Sequence, residues 1–121
     1  IAEKRAGRTA TEGMIGTYVH HNGQVGTLIE VNCETDFVAR TAEFRELAHN
    51  LAMQVAATSP QFVTPEEIPA EAKLEPQEVC LLLQPFIKEP TKTVQEVIAE
   101  TVAKVGENIK VRRFARFELG G

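Results

Sequence analysis

Three groups of side chains in this sequence have the right types for chemistry: a histidine pair, a set of acids and two cysteines. His20 and His21 are adjacent, so on a strand they point to opposite faces and cannot share one metal without a bulge. Glu30, Glu34 and Asp36 would suit acid–base work, but no Ser, Cys or His stands beside them in a recognisable nucleophile motif, and there is no glycine-rich phosphate loop. Cys33 and Cys80 are far apart and lack Cys-x-x-Cys spacing, which argues against zinc or redox motifs and fits a reduced compartment. They read as two buried, inert thiols. No catalytic residue, metal ligand or cofactor is expected.

Two further stretches point to binding. Arg112-Arg113-Phe114-Ala115-Arg116-Phe117 interleaves basic and aromatic residues, faintly like an RNA-stacking strand but without the glycine of the usual ribonucleoprotein signature; on this pattern alone a strand with a solvated basic face and core phenylalanines is the favoured reading. Asn32-Cys33-Glu34-Thr35-Asp36-Phe37-Val38-Ala39-Arg40 stands where a strand hands over to a helix, and it sets an aromatic beside an acid where neither periodicity calls for one. Either Asp36 stabilises the positive end of a helix while Phe37 packs inward, or the pair is an aromatic–acid wedge shown to a partner.

The chain that must position these residues has 121 of them, 43% hydrophobic and 25% charged, with no Trp. At about 100 to 200 residues per domain this allows one modest core and excludes a multidomain enzyme. A net charge of −4 disfavours a general nucleic-acid binder. Basic residues gather at the ends, Lys4, Arg5 and Arg8, then Lys110, Arg112, Arg113 and Arg116, whereas Glu66 to Glu78 is acid-rich with Lys73 its one cation. Opposite-sign patches on a small domain suit protein recognition. The apolar runs, Cys80-Leu81-Leu82-Leu83 being typical, fall far short of the about 20 residues of a membrane span. The chain opens without Met or a signal peptide's apolar core, so it reads as a piece of a longer one.

Met14 to His20 and Val25 to Cys33 are β-branched-rich runs, and Asn22-Gly23 between them supplies the positive φ of a type I′ turn, predicting a hairpin. Phe44, Leu47, Ala48, Leu51, Ala52 and Val55 form a helical stripe ended by Ser59-Pro60, with Thr35 or Thr41 as N-cap. Pro60, Pro65, Pro69 and Pro76 mark a surface loop from 60 to 78 with at most one turn, begun by Thr64-Pro65-Glu66-Glu67, and no core of its own. Val79 to Ile87 is apolar and too short for periodicity to decide its type. Thr93-Val94-Gln95-Glu96 has the capping-box form; the stripe Val94, Val97, Ile98, Thr101, Val102 and Val105 follows, and Gly106 closes it. Ile109 to Leu119 alternates as a strand with its basic residues largely on one face. The fold class is therefore α+β: an antiparallel sheet of the N-terminal hairpin and the C-terminal strand, flanked by helices.

Four blocks carry a resemblance: Glu12-Gly13-Met14-Ile15, Val31 to Arg40, Gln84-Pro85-Phe86-Ile87-Lys88 and Gly106 to Phe117. In these the sequence resembles bacterial and organellar translation elongation factor Ts, the nucleotide-exchange factor of elongation factor Tu. The blocks stand in family order and bracket nearly the whole chain.

The resemblance implies a helper without bond-making chemistry. The family's Asp and Phe of Thr-Asp-Phe-Val fall on Asp36 and Phe37; they enter the partner's GTP-binding domain beside its magnesium site, the Phe wedges among partner side chains and shifts a helix, and GDP leaves. Thr35, Asp36, Phe37 and Val38 are thus the candidate partner-binding residues, and elongation factor Tu is the candidate partner, with no direct nucleic-acid or membrane partner. Residues 1–8 match the basic stretch after the family's small N-terminal three-helix domain, and residues 9–121 match its core domain. The link between Pro69 and Val79 is short, where many members carry a longer helical segment. Short members can pair as dimers, for which the apolar 79–87 stretch is a candidate. The expected location is bacterial cytoplasm, or a chloroplast or mitochondrial matrix. Two alternatives remain: an RNA-binding module using Arg112, Arg113, Arg116 and Phe114, and a form that binds its partner without releasing nucleotide.

Overall fold

The computed structural model of the chain describes residues 6–121. The basic N-terminal stretch predicted at 1–8 therefore lies, for residues 1–5 with Lys4 and Arg5, outside the described residues.

The β-branched runs pair as predicted: β1 (Glu12–Val19) and β2 (Val25–Cys33) form an antiparallel hairpin. Its turn differs from type I′. The His20 carbonyl accepts from the Gly23 amide at 2.7 Å, and of Asn22 and Gly23 the glycine alone has positive φ, 72°. The loop runs from His20 to Gln24, so the Asn-Gly pair ends a longer turn and leaves the left-handed position to Gly23. His20 and His21 therefore lie past the end of β1, where strand alternation no longer applies: their rings stand 4.2 Å apart instead of on opposite faces.

A four-residue helix α1 (Asp36–Ala39) follows β2, then the long α2 (Ala42–Thr58), each with its own threonine cap, so Thr35 and Thr41 both serve. The α2 stripe Phe44, Leu47, Ala48, Leu51, Ala52 and Val55 is buried against Ile29, Val31 and Cys33 of β2. Ser59, left-handed at φ 51°, ends it. Where β1 crosses α2, Gly16 carries no side chain because a Cβ there would lie 2.6 Å from the Ala48 carbonyl oxygen. Thr27 ties the same seam by donating to the Ala52 carbonyl at 2.8 Å.

The proline-rich loop holds the expected turn at Pro65–Glu67 but also contributes to the core, since Val63 is buried. The undecided stretch is neither one helix nor one strand: the end of α3 (Pro76–Val79), a 3-10 turn at Leu81–Leu83 and β3 (Pro85–Phe86) divide it, with Pro76 opening the helix at its first turn and Pro85 following the 3-10 turn. Val79, Cys80, Leu81 and Phe86 are buried, so the stretch is core and offers little to a second copy. Gln84 organises it through the buried amide of Gln54, whose Nε2 donates to Gln84 Oε1 at 3.1 Å and to the Pro85 carbonyl at 3.0 Å, while Gln54 Oε1 accepts from the Ile87 amide.

Then come β4 (Glu89–Thr93), paired with β3, and α4 (Val94–Val105), whose capping box forms as predicted: the Thr93 amide donates to Glu96 Oε1 at 2.8 Å and the Glu96 amide to Thr93 Oγ1 at 3.2 Å. Gly106, at φ 80°, turns the chain into β5 (Lys110–Glu118), which pairs antiparallel with β2 and gives the order β1-β2-β5. The α+β class is that of the sequence. Strand β5, however, carries a bulge: Glu30 pairs with Arg113 and Val31 with Val111, leaving Arg112 as the extra residue. The bulge reverses the faces after it. Phe114 packs on the core and Arg116 donates to the Ala56 carbonyl on the helix side, while Arg113 meets Glu30 on the outer side. The basic residues do not share one face. Among the described residues no helix is long and apolar enough to cross a membrane.

Gly16→Ala is expected to cost about 1–3 kcal/mol by pressing β1 off α2, whereas Gly7→Ala, with open space around its Cβ, stays within about 0.5 kcal/mol. Urea denaturation with an unchanged m-value checks both.

Candidate functional site

The predicted site residues occupy the corner between β2 and α2. Strand β2 ends at Cys33, and Thr35 is extended, at φ −130° and ψ 157°, so that its Oγ1 accepts from the Val38 amide at 3.3 Å and starts α1. Six residues later Thr41 repeats the device: its Oγ1 accepts from the Phe44 amide at 3.2 Å and donates to the Val38 carbonyl at 2.7 Å. One turn of helix is thus fixed at both ends.

The four candidates do not behave alike. Val38 faces inward and is buried, so it anchors the turn to the core. Thr35 is half-buried and spent on the cap. Asp36 is exposed and pairs with Arg40 one turn on. Phe37 is 77% exposed, so of the two readings of this segment the inward-packed aromatic is excluded. Leaving a phenylalanine in water forgoes about 1.5–3 kcal/mol of burial, which a monomer's own packing does not recover.

Sequence reasoning missed a neighbour that holds this corner. Glu107 Oε1 accepts from the amides of Glu34 at 3.1 Å and Thr35 at 3.0 Å, and its Oε2 accepts from the Thr35 hydroxyl at 2.7 Å. In return, Glu34 Oε2 accepts from the Asn108 amide at 2.6 Å, with Arg8 3.7 Å away. No local pattern could have announced these bonds, because they join segments more than seventy residues apart; Glu107 stands in a matched block, which was the one available signal.

The remaining candidates for chemistry do not converge. The Glu30 carboxylate is held below its usual range by a hydrogen bond from Asn32 and then by Arg113 and Arg112, against partial burial. Burial, and next the charge of Glu107, push the Cys33 thiol up to about 11; burial also raises Cys80. Both thiols are free, buried and protonated at neutral pH, hence poor nucleophiles. Among the described residues no group of three His, Cys, Asp or Glu side chains is placed to hold a metal. What the corner can do is present a rigid aromatic and an acid for contact.

Comparison with known proteins identifies the family of the chain. The family model described as elongation factor TS matches residues 1–78 and 72–121. The elongation factor Ts of Moorella thermoacetica is 46% identical over 149 aligned positions, covering 98% of this chain and 73% of that protein. That of Thermotoga petrophila is 48% identical, covering 98% of this chain and 74% of its own length, and that of Geobacter sulfurreducens is 46% identical, covering 98% and 69%. An alignment of 149 positions exceeds the 121 residues here, so the relatives hold residues within the matched region that this chain does without. The two family-model stretches meet at 72–78, in the connector already noted as short.

Phe37→Ala is expected to leave folding stability within about 0.5 kcal/mol, while Phe44→Ala, at a fully buried position, costs about 3–5 kcal/mol. Chemical denaturation of the two variants side by side measures the contrast.

Proposed function

Because the chain belongs to the elongation factor Ts family, and with it to translation elongation, we propose that it is a guanine-nucleotide exchange factor that acts on elongation factor Tu. The observation that carries this reading is the solvated ring of Phe37 on a capped, core-anchored turn. An aromatic supplies a large contact area at low rotamer cost, the property of an interface anchor. Asp36 stands beside it, held by an exposed ion pair with Arg40; such pairs are worth about 0–1 kcal/mol, so the carboxylate is readily redirected to a partner's donor.

In this mechanism no bond is made or broken by the chain. Phe37 enters the partner's GTP-binding domain beside its magnesium site, with Asp36 next to it, and the partner arrangement that receives them is one that holds GDP poorly. Linkage makes the effect reciprocal: each tenfold weakening of GDP requires about 1.4 kcal/mol of differential contact, and GDP weakens the factor's binding equally. The RNA-binding alternative is less well supported, because the β5 bulge sends Arg113 and Arg116 to opposite faces and Phe114 into the core.

A second copy is a further proposed partner, seated on the outer face of the sheet. An antiparallel sheet facing water normally alternates polar residues outward. Here Ile15, Val19, Leu28 and Phe117 are exposed there, across strands whose register sets Leu28 beside Ala115 and Gly26 beside Phe117. A flat apolar patch of this kind can meet its own copy across a two-fold axis. Leu28→Glu is expected to shift the chain from dimer to monomer in sedimentation equilibrium; a parent monomeric across the micromolar range would contradict this.

Release of a fluorescent GDP analogue from elongation factor Tu tests the main reading. The parent is expected to accelerate release and the Asp36→Ala/Phe37→Ala variant to lose the acceleration. A parent that binds the partner yet leaves release unchanged would establish the binding-only alternative.

A further inference from the structure

Phe37 can act as a wedge only if the turn beneath it is stiff, and α1 is a single turn whose own backbone bonds cannot supply that stiffness. Its start depends on one hydroxyl. Thr35 Oγ1 has a single proton, and with that proton committed to Glu107 Oε2 at 2.7 Å the oxygen's lone pairs remain for the Val38 amide. The same carboxylate takes the amides of Glu34 and Thr35, so one side chain from beyond α4 fixes the backbone direction at the exit of β2 and the rotamer of the cap. Gly106, left-handed at φ 80°, is what turns the chain to bring Glu107 and Asn108 to this corner. Asn108 completes the tie: its amide donates to Glu34 Oε2, and its side-chain Nδ2 donates to the carbonyls of Arg8 at 2.7 Å and Ala6 at 3.2 Å.

We propose that Glu107 is a positioning residue for nucleotide exchange, its carboxylate locking the Thr35 turn so that Phe37 is held outward in a single orientation. The proposal rests on the reading of Asp36 and Phe37 as the contact with elongation factor Tu. The three bonds to the Glu107 carboxylate are charge-assisted, and that from the Thr35 hydroxyl, at 2.7 Å, is short; together they fix the direction of the turn. They are also half-exposed, so water can replace them: losing the carboxylate frees the turn without opening the core. The consequence is a specific one. A freely moving Phe37 still reaches the partner, but ordering it consumes contact energy that would otherwise be directed against GDP.

The test measures analogue release from elongation factor Tu at rising concentrations of the parent, Glu107→Ala, Phe37→Ala and the double variant. Glu107→Ala is expected to lower the saturating release rate about tenfold while moving the half-saturating concentration by less than about twofold. If Glu107 acts through Phe37, adding Glu107→Ala to Phe37→Ala slows release by less than about twofold more, since the two residues work as a unit. Glu107→Gln, which keeps an oxygen for the two amides but cannot accept the Thr35 proton, falls between parent and Glu107→Ala. Hydrogen exchange on the same proteins should show the Thr35 and Val38 amides losing protection while those of α2 and α4 keep theirs. A parent-like saturating rate for Glu107→Ala, or an equal loss in both backgrounds, would overturn the proposal. If Phe37→Ala itself releases nucleotide like the parent, the exchange-site reading fails instead; unchanged protection at Thr35 and Val38 would then sink the positioning role independently.

Discussion

The contact on which the remaining structure depends is the seam between α2 and the inner face of the sheet. Its apolar stripe lies on Ile29, Val31 and Cys33, and the absence of a side chain at Gly16 lets strand and helix backbones approach at the Ala48 carbonyl. With strand and helix so fixed, the chain from Glu34 to Thr41 must reverse direction within a short span. Two back-to-back threonine caps and one helical turn accomplish this. Val38 is pulled into the core, and because consecutive residues of a helix stand about 100° apart, its neighbour Phe37 is turned toward water. The exposed ring is a consequence of the seam.

Features written in local chemistry were legible in advance. The hairpin, the α2 stripe, the Thr93–Glu96 capping box and the Gly106 terminus each depend on residues within about one or two turns of each other, where side-chain period and capping decide the outcome. Three features that the local pattern did not show depend on distant partners. The β5 bulge answers to Glu30, which draws both Arg113 and Arg112 toward it at 2.8 and 3.5 Å, so the alternation in the sequence could not show where it breaks. The end of the 79–87 stretch is held by Gln54 from α2, and the exit of β2 by Glu107 from beyond α4. At the site, the types and order of Thr35, Asp36 and Phe37 were readable; that Val38 is an anchor and Phe37 is exposed required the third dimension.

The bulge also bears on the choice between the proposed partners. Had β5 kept strict alternation, Arg112 and Arg116 would have joined Lys110 on one face with Phe114 among them, a plausible stacking platform for single-stranded RNA. Instead Arg116 is drawn against the Ala56 carbonyl and Glu118, and Arg113 is neutralised by Glu30. The cations are thus divided between the two faces, and Ile15, Val19, Leu28 and Phe117 are the large apolar side chains exposed on the outer one. Apolar area rimmed by paired charge favours a protein surface over a polyanion.

Rigidity at the corner has a thermodynamic role under the proposed mechanism. An exchange factor lowers a partner's affinity for nucleotide by the difference between its contacts with the nucleotide-free and nucleotide-bound forms, so contact energy that is common to both is without effect. A mobile phenylalanine would settle into whatever crevice either form offers and narrow that difference, and fixing it on binding would cost backbone entropy of about 1–2 kcal/mol per residue ordered. Under that proposal, holding Phe37 in place beforehand, through Val38 below, Thr41 behind and the Glu107 carboxylate at the side, would let the ring fit one partner arrangement and clash with the other. Selectivity between the two forms then comes from shape, which a stiff side chain can impose and a loose one cannot.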